Sequence, residues 1–537
     1  MAMMTGGQAV VAALQAEGVR AVFGIPGMHT LHLYEALRTA PTIRHFTTRH
    51  EQGAAFMADG YARATGEPGV CLAITGPGAT NTLTALGNAY CDSSPVFCIT
   101  SEIATGHIGQ GYEVFHEVRD QLGLFAGVTA WNERAASVAE IPGAVHRAMV
   151  ALRTGRPRPA HLEIPIDVLA ATGEVEIAAP AAVERPAADP GQVAAAAALL
   201  ARARFPLIYA GGGVNSAGAG AALVSLAERL GAPVLTTFTG KGAIPEDHPL
   251  SLGCGPWRRG LIADFLARAD LLLVVGARLA QVETQDWTLP LPKTLVHVDI
   301  DPTVIGRHYP ATVGVVGDAR RALEQITAAL AGSATHPAPS PAAEIAQWQV
   351  ARCARARLQG DPGFGFMAAG AAALARDAIV ANDAALVNGW TSQHLPSYTP
   401  RSVLFPSGFA ALGFALPAAL GAKIAFPERQ VVAVCGDGGF LFTAQELATA
   451  VQYGVAVVVL VFNDGSYGSI ARLQQAHFGA AFAADLVNPD FVRLAEAFGA
   501  WAARADTPQA LGSALGAALR AGRPALIEVP VRLEPPR

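Results

Sequence analysis

Asp437 and Asp464 stand 27 residues apart, each just beyond an apolar run. Gln430 to Cys435 leads into Gly436-Asp437-Gly438-Gly439, and Val455 to Phe462 into Asn463-Asp464-Gly465-Ser466-Tyr467-Gly468. That separation is enough for one helix and a return strand, so adjacent parallel strands would aim both carboxylates at one point. Hard oxygens from the two aspartates and a backbone carbonyl suit Mg²⁺, which also takes diphosphate oxygens. Gly438 and Gly439 would let backbone N–H groups approach those phosphates at a helix N-terminus. A lone Gly-Asp-Gly is as often a plain turn; the pair at this spacing carries the weight. Far upstream, Glu51 opens a helix whose next residues, Gly53-Ala-Ala-Phe-Met-Ala58, are small and apolar. An isolated acid there usually complements the helix dipole, but buried among such neighbours it can share a proton with a ring nitrogen.

These groups need sheets to position them. The 537 residues correspond to about three or four domains. Two stretches read as linkers: Ala171 to Gln192, rich in Ala, Pro and Glu, and Gly332 to Ala343, with Pro337, Pro339 and Pro341. They divide the chain into 1–170, 190–332 and 345–537. In each piece apolar strand-like runs end in glycine-rich turns and continue into amphipathic stretches: Gly69 to Ile74 into Thr75-Gly-Pro-Gly78, Phe205 to Ala210 into Gly211-Gly-Gly213, Leu271 to Val275 into Gly276. The alternation predicts an α/β chain of three domains with mainly parallel sheets. Ligands in such sheets sit beyond the C-terminal strand ends, where the turns lie.

With 38 basic and 43 acidic residues the net charge is −5, which excludes a phosphate-binding nucleic-acid surface as the main function. Charged residues make up 15%, against about 25% in a typical domain. No apolar run approaches the ~20 residues of a membrane span, so the composition points to a generous core and buried subunit contacts. Six scattered cysteines without C-x-x-C spacing argue against a zinc cluster, a redox pair or a disulfide framework. Met1 to Gln8 lacks a basic or apolar leader, and the expected location is the cytoplasm.

The G-D-G turn followed by Asn463-Asp464 resembles the cofactor signature of thiamine-diphosphate enzymes, in particular the acetolactate synthase-like and 2-oxo acid decarboxylase group. The resemblance covers essentially the whole chain and implies pyrimidine-binding, Rossmann-like and diphosphate-binding domains. It makes Asp437, Asp464 and the Ser466 carbonyl the Mg²⁺ ligands, with Asp464 standing where the family usually has Asn. Gly436, Gly438, Gly439, Tyr467 and Gly468 would line the diphosphate, with Ala385 and Leu386 beside it. Ser407-Gly-Phe-Ala410-Ala-Leu412-Gly-Phe-Ala-Leu-Pro417 resembles the segment that seats the aminopyrimidine. Leu412 would force the bent cofactor conformation, and backbone atoms of Ala410 and Leu412 would bond the ring edge. His50-Glu51-Gln52-Gly matches the helix carrying the family's activating Glu, so Glu51 would bond N1′ of the ring. The thiazolium would attack a ketone carbonyl and act as electron sink when CO₂ leaves. Protonation of the C2-carbanion/enamine gives an aldehyde; capture by a second carbonyl gives a 2-hydroxy ketone.

The resemblance also places Pro26 and Gly27 in a loop over the thiazolium, and Thr75 and Asn81 in the T-G-P-G-A-T-N turn beside the cofactor. His29 would relay protons or orient the substrate carboxylate, and His116 and Gln121 would contact substrate, although loop residues of these types are about as often solvated. The family's site forms between the first domain of one subunit and the third of its neighbour, which implies a homodimer at least, with a homotetramer common. In the middle domain the R-F-D-D-R run of FAD-dependent acetolactate synthases is absent, with Arg278-Leu-Ala-Gln281 in its place. FAD is therefore disfavoured there, and the domain is read as mainly structural. Leu473 and Val128-Thr-Ala130 replace residues typical of anabolic acetolactate synthases. The pairing of G-I-P-G-x-H-T with H-E-x-x-D-Q is closer to the subgroup that includes 5-guanidino-2-oxopentanoate decarboxylase. A cationic substrate of that kind would want an acid such as Glu113 or Glu117. The alternatives are a 2-hydroxyacyl-CoA lyase or oxalyl-CoA decarboxylase type of lyase, for which Glu534 to Arg537 is a short closing end, and a catalytically silent homologue.

Overall fold

A computed structural model describes residues 2–177, 179–180, 183–255, 260–331, 340–358 and 360–532. Three six-stranded sheets, parallel throughout, follow one another along the chain. The first runs, in spatial order, Arg44–Thr47, Ala21–Gly24, Gly69–Ala73, Val96–Glu102, Ala160–Pro165, Trp131–Arg134. The third runs Val403–Leu404, Ile379–Asn382, Val431–Gly436, Val458–Asn463, Ala525–Pro530, Trp501–Arg504. Numbered within each domain, both have strand order 2-1-3-4-6-5. The middle sheet, from Ser251–Cys254 through Val234–Thr236, Pro206–Ala210, Leu271–Val275 and Thr294–Asp299 to Val313–Val316, has order 3-2-1-4-5-6. That is the winding of dinucleotide-binding folds.

The central strands are continuous apolar runs because helices cover both faces; every residue of Val431–Gly436 is buried, as is every residue of Gly69–Ala73. The helix Glu51–Thr65 starts at His50, whose Nδ1 accepts from the Gln52 N–H (3.1 Å), and stops at Gly66, whose φ of +82° suits glycine. It lies against Ala415–Ala425 at backbone distance. A side chain on Gly60 would run into the Ala418 backbone, and one on Gly421 into the Met57 carbonyl. The small residues of both helices are therefore a requirement of this crossing. The largest apolar core joins the first and third sheets across it, with Phe56, Phe414, Cys71 and Cys435 among its members. The middle domain keeps two cores of its own.

The stretch 171–192, expected as a linker, opens with a strand. Thr172–Val175 pairs antiparallel with Ala2–Thr5, and a helix begins at Pro190. Alternation too short to register as a period hid this strand. Most of the second expected linker, residues 332–339, lies outside the described residues, as do 534–537; the helix Ala342–Leu358 begins where that linker was expected to end. Among the described residues no helix is long and apolar enough to cross a membrane.

Candidate active site

Strand register brings the two aspartates together. Gly436 pairs with Phe462 across the adjacent strands Val431–Gly436 and Val458–Asn463, so Asp437 and Asp464 leave neighbouring C-terminal ends. Asp437 is 2% exposed, and its Oδ2 accepts from the Gly465 N–H (3.0 Å) and from Asn488 Nδ2 (2.6 Å). Burial and the Asp437 charge raise the pKa of Asp464, opposed by hydrogen bonds from Ser466. A second carboxylate whose charge is disfavoured by the first suits a divalent cation between them.

The turn around them has no room for side chains. A Cβ on Gly438 would lie 2.6 Å from the Tyr467 ring, one on Gly439 2.7 Å from Asp383 Oδ2, and one on Gly436 3.1 Å from Ala385. Gly468 faces Asp464 Oδ2 and Leu386 in the same way. The expected diphosphate residues Ala385, Leu386, Gly436, Gly438, Gly439, Asp464, Tyr467 and Gly468 thus form one cluster, and Ser466 joins it through its hydrogen bonds to Asp464. Asn388 Oδ1, at the start of the helix Val387–His394, is buried without a partner.

Asp383 had no sequence signal beyond its place after a strand. It is fully buried, and burial raises its pKa to about 6 against the pull of its backbone N–H donors. Its carboxyl accepts from the N–H groups of Ala384 (2.9 Å), Gly413 (3.0 Å) and Phe414 (3.3 Å). It therefore fixes the turn that presents Leu412, half-buried, and Ala410, exposed with a left-handed φ of +55°. A non-glycine residue in that region stores strain, which the Asp383 bonds hold in place. Asn488, whose Nδ2 donates to Asn463 Oδ1 at 3.0 Å behind Asp437, was also missed.

In the first domain Asn81 Nδ2 donates to Glu51 Oε2 at 2.9 Å. Glu51 itself is half-buried, less enclosed than its apolar neighbours suggested. A Cβ on Gly78 would lie 3.3 Å from Glu51 Oε1, and one on Gly27 would meet the Ile74 side chain. Glu51, the Pro26-Gly27 loop and the 74–81 turn are therefore neighbours. His29 is 5% exposed, its ring 5.4 Å from that of His116, and both Nδ1 atoms are buried without partners. Burial, and then the nearby His116, lower the pKa of His29. His116 has φ +69° and its carbonyl abuts Gly76.

Gln121, expected at the substrate, is 1% exposed with its amide already engaged. Its Oε1 accepts from Thr75 Oγ1 (2.8 Å) and the Gly76 N–H (2.9 Å), and its Nε2 donates to Glu163 (3.0 Å) and the Ser101 carbonyl (2.9 Å). It holds the Thr75-Gly76 turn from behind. Thr75 is equally enclosed, and its hydroxyl also reaches Glu102, whose pKa burial and the neighbouring Glu163 raise.

A cavity of about 550 Å³ lies elsewhere, where the three domains meet, beside Arg63, Asp92, Arg185 and Arg401. It shares Asp92 and Arg185 with a smaller cleft over Gly212, Arg278, Asp299 and Asp318.

The donor set fits thiamine diphosphate with Mg²⁺. Two carboxylates over a glycine cradle leave an ion between them free to take diphosphate oxygens, and among the described residues no group of three or more His, Cys, Asp or Glu side chains offers a metal cage. Residues 383–529 match the family described as "Thiamine pyrophosphate enzyme, C-terminal TPP binding domain", residues 4–124 the corresponding N-terminal TPP binding domain, and residues 193–326 the central domain. The chain belongs to the thiamine pyrophosphate enzymes. This thiamine pyrophosphate enzyme is 42% identical over 505 residues to a protein of Pseudomonas aeruginosa described as a probable 2-ketoarginine decarboxylase, AruI, covering 92% of this chain and 88% of that one. It is 36% identical over 547 residues to a probable acetolactate synthase large subunit of Methanocaldococcus jannaschii (98% and 92% covered), and 34% over 540 residues to the acetolactate synthase isozyme 3 large subunit of Escherichia coli (97% and 93%). The C-terminal family match begins at Asp383, the residue that holds the 410–414 turn.

Proposed function

We propose that this enzyme decarboxylates a 2-oxo acid, with Mg²⁺ anchoring its cofactor and each site completed between two copies of the chain. The observation that carries the reading is the paired placement of Asp437 and Asp464 at adjacent strand ends over a glycine cradle, with Glu51 held by Asn81 in another domain. Asp437, Asp464 and the Ser466 carbonyl would ligate the ion, while Gly438 and Gly439 give phosphate oxygens access to backbone N–H groups. When bound, thiamine diphosphate supplies a nucleophilic ring carbon and an electron sink for the electrons released with CO₂. Glu51 would hold a proton at the ring nitrogen, and Asn81 keeps its carboxyl aimed. His29 and His116 stand together with unpaired ring nitrogens, suited to orient the substrate carboxylate or move a proton to the product. Gln121 acts through the Thr75-Gly76 turn and not on substrate.

The substrate we favour carries a cationic side chain. The 42% likeness to a protein named for 2-ketoarginine supports it, as do Glu113, exposed with φ +55°, and the aromatic ring of Phe115 on the loop beside His116. Glu117 is the weaker candidate, since Oε2 already accepts from the Val114 N–H (2.8 Å). The middle domain we read as structural. At its switch point Gly211 and Gly213 pack directly on Gly276, and the Gly213 N–H donates to the Gly276 carbonyl (3.0 Å), so these glycines have a reason that needs no dinucleotide. A flavin absorption band in purified protein would overturn that part.

The test is incubation with Mg²⁺, thiamine diphosphate and a panel of 2-oxo acids, scoring CO₂, aldehyde and acyloin separately. Guanidino 2-oxo acid should release CO₂ and aldehyde. Acyloin from pyruvate as the main product would instead make it a carboligase, and no CO₂ from any 2-oxo acid would sink the reading.

A further inference from the structure

The residues immediately before Glu51 are held by a carboxylate from another domain. Glu446, on the third-domain helix Glu446–Tyr453, is 0% exposed. Its Oε1 accepts from the backbone N–H groups of Arg49 and His50, both at 3.1 Å, and its Oε2 from Thr449 Oγ1 at 2.6 Å. Two further bonds brace the same strand end: the Thr47 N–H donates to Tyr453 Oη at 2.8 Å, and Arg49 Nη2 to Gln452 Oε1 at 2.6 Å. Gly53 leaves the space Glu446 needs, since a Cβ there would run into Oε1.

The arrangement has a counterpart with the domains exchanged. Asp92, at the end of the first-domain helix Pro77–Asp92, accepts from the N–H groups of Ser407 (2.9 Å) and Gly408 (2.8 Å). Those residues open the third-domain turn that runs to Leu412. Each helix follows the third strand of its own sheet, and each cap closes on the loop after the second strand of the other. Burying an acceptor against two backbone N–H groups that would otherwise be orphaned fixes the loop in one position.

We propose that Glu446 is a positioning residue for Glu51, holding the activating carboxylate of one active site from the domain that carries the metal ligands of the other. The first half stands on the contacts above; the second rests on the reading that each site forms between two copies of the chain. Asp437 is nine residues upstream of Glu446 in the same domain, whereas Glu51 would serve the cofactor held by the neighbouring copy. A displacement of the Gly-Asp-Gly turn at one site would then reach the acid of its mate through the short segment that joins Asp437 to Glu446.

The test uses the full-length protein with Glu446→Ala and Glu446→Gln. The Gln variant keeps one oxygen for both N–H groups and an amide for Thr449, so it should rescue what Ala loses. In Glu446→Ala, amide hydrogen exchange across 47–53 in the cofactor-free protein should quicken about tenfold or more. Turnover should fall roughly 10–100-fold, with KM and thiamine diphosphate affinity changed less than about twofold. Should Glu446→Ala fail to fold, Thr449→Val removes only the hydroxyl on Oε2 and should show the same pattern at smaller size. Unchanged exchange over 47–53, or affinity and turnover lost in step, would overturn the proposal. Glu51→Gln, run alongside, separates the two readings: if it keeps full turnover the proposed function fails, while the exchange data still judge Glu446. For the coupling, a mixed dimer of Glu51→Gln with Asp437→Ala chains leaves one complete site. Adding Glu446→Ala to its Asp437→Ala chain should slow that site, and adding it to the Glu51→Gln chain should not; the reverse would overturn the coupling.

Discussion

The first and third domains share one winding, 2-1-3-4-6-5, and differ in what they place at its strand ends. After the third strand the first domain has Thr75-Gly-Pro-Gly78, a turn held from behind by Gln121, and the third has Gly436-Asp-Gly-Gly439, with its carboxylate facing the site. After the second strand, the first domain opens a helix with Glu51 directly, whereas the third inserts the 407–414 turn, held by Asp383 and Asp92, before its helix. On the function proposed above, one scaffold would yield two halves with different tasks: a half built from side chains that handle protons, and a half built from backbone and carboxylates that hold a diphosphate and its metal. The middle domain, wound 3-2-1-4-5-6, takes no part in either cluster.

The sharpest way to break this division is to damage one half and look for loss in the other's function. Glu51→Gln should lower turnover by roughly 10²–10⁴-fold, the scale of proton-transfer catalysis, while calorimetric titration still finds thiamine diphosphate bound. Asp437→Ala should do the opposite, abolishing Mg²⁺-dependent binding in the same titration. Loss of binding in the first variant or its survival in the second would erase the distinction. Asp464→Asn, which matches the usual family residue, should retain cofactor.

A smaller effect tests whether the halves are joined through their backbones. Gly60→Ala places a methyl on the Ala418 backbone and should cost about 1–3 kcal/mol as overpacking, seen as a Tm lowered by several degrees. Gly522→Ala is the useful contrast, since no atom lies within 4 Å of its added Cβ, although its φ of +62° carries a strain of its own.

The smallest effect separates the two reciprocal caps. Asp92 shares the buried Arg63 with Asp59, whereas Glu446 has backbone N–H groups and the Thr449 hydroxyl as donors, with Arg49 nearby. Burial raises Glu446 to about 7 from an ordinary 4.5. The native state therefore binds more protons than the unfolded chain between those values, and this group's contribution to stability should fall as pH rises through that window. Urea unfolding from pH 4.5 to 8 should show a negative slope from this group that Glu446→Gln removes. An identical slope in that variant would mean the carboxyl is ionised throughout.

Most of the fold was legible in the sequence because buried parallel strands are short apolar runs that end in glycine. Leu271–Val275 matched its run, and Val431–Gly436 lies one residue from Gln430 to Cys435. The G-D-G turn and the Glu51 helix were legible for the same reason: close backbone approach restricts residue type. What escaped was whatever depends on contacts distant in the chain. Asp383 and Glu446 look like ordinary polar residues until the sheets assemble around them, and Gln121 sits in a motif that reads as a substrate contact although its amide is used inside the domain. The strand Thr172–Val175 was hidden in a stretch whose composition says linker, because its partner is 170 residues away.

That last pairing has a bearing on how the chain is made. Ala2–Thr5 zips onto Thr172–Val175, so the residues of this strand wait for the end of their own domain before they find a partner. The first sheet can assemble earlier, but the clasp cannot shut until residue 175 is free. Once shut, it ties the strand Ala2–Thr5 to the exit toward the middle domain, so whatever loosens one loosens the other.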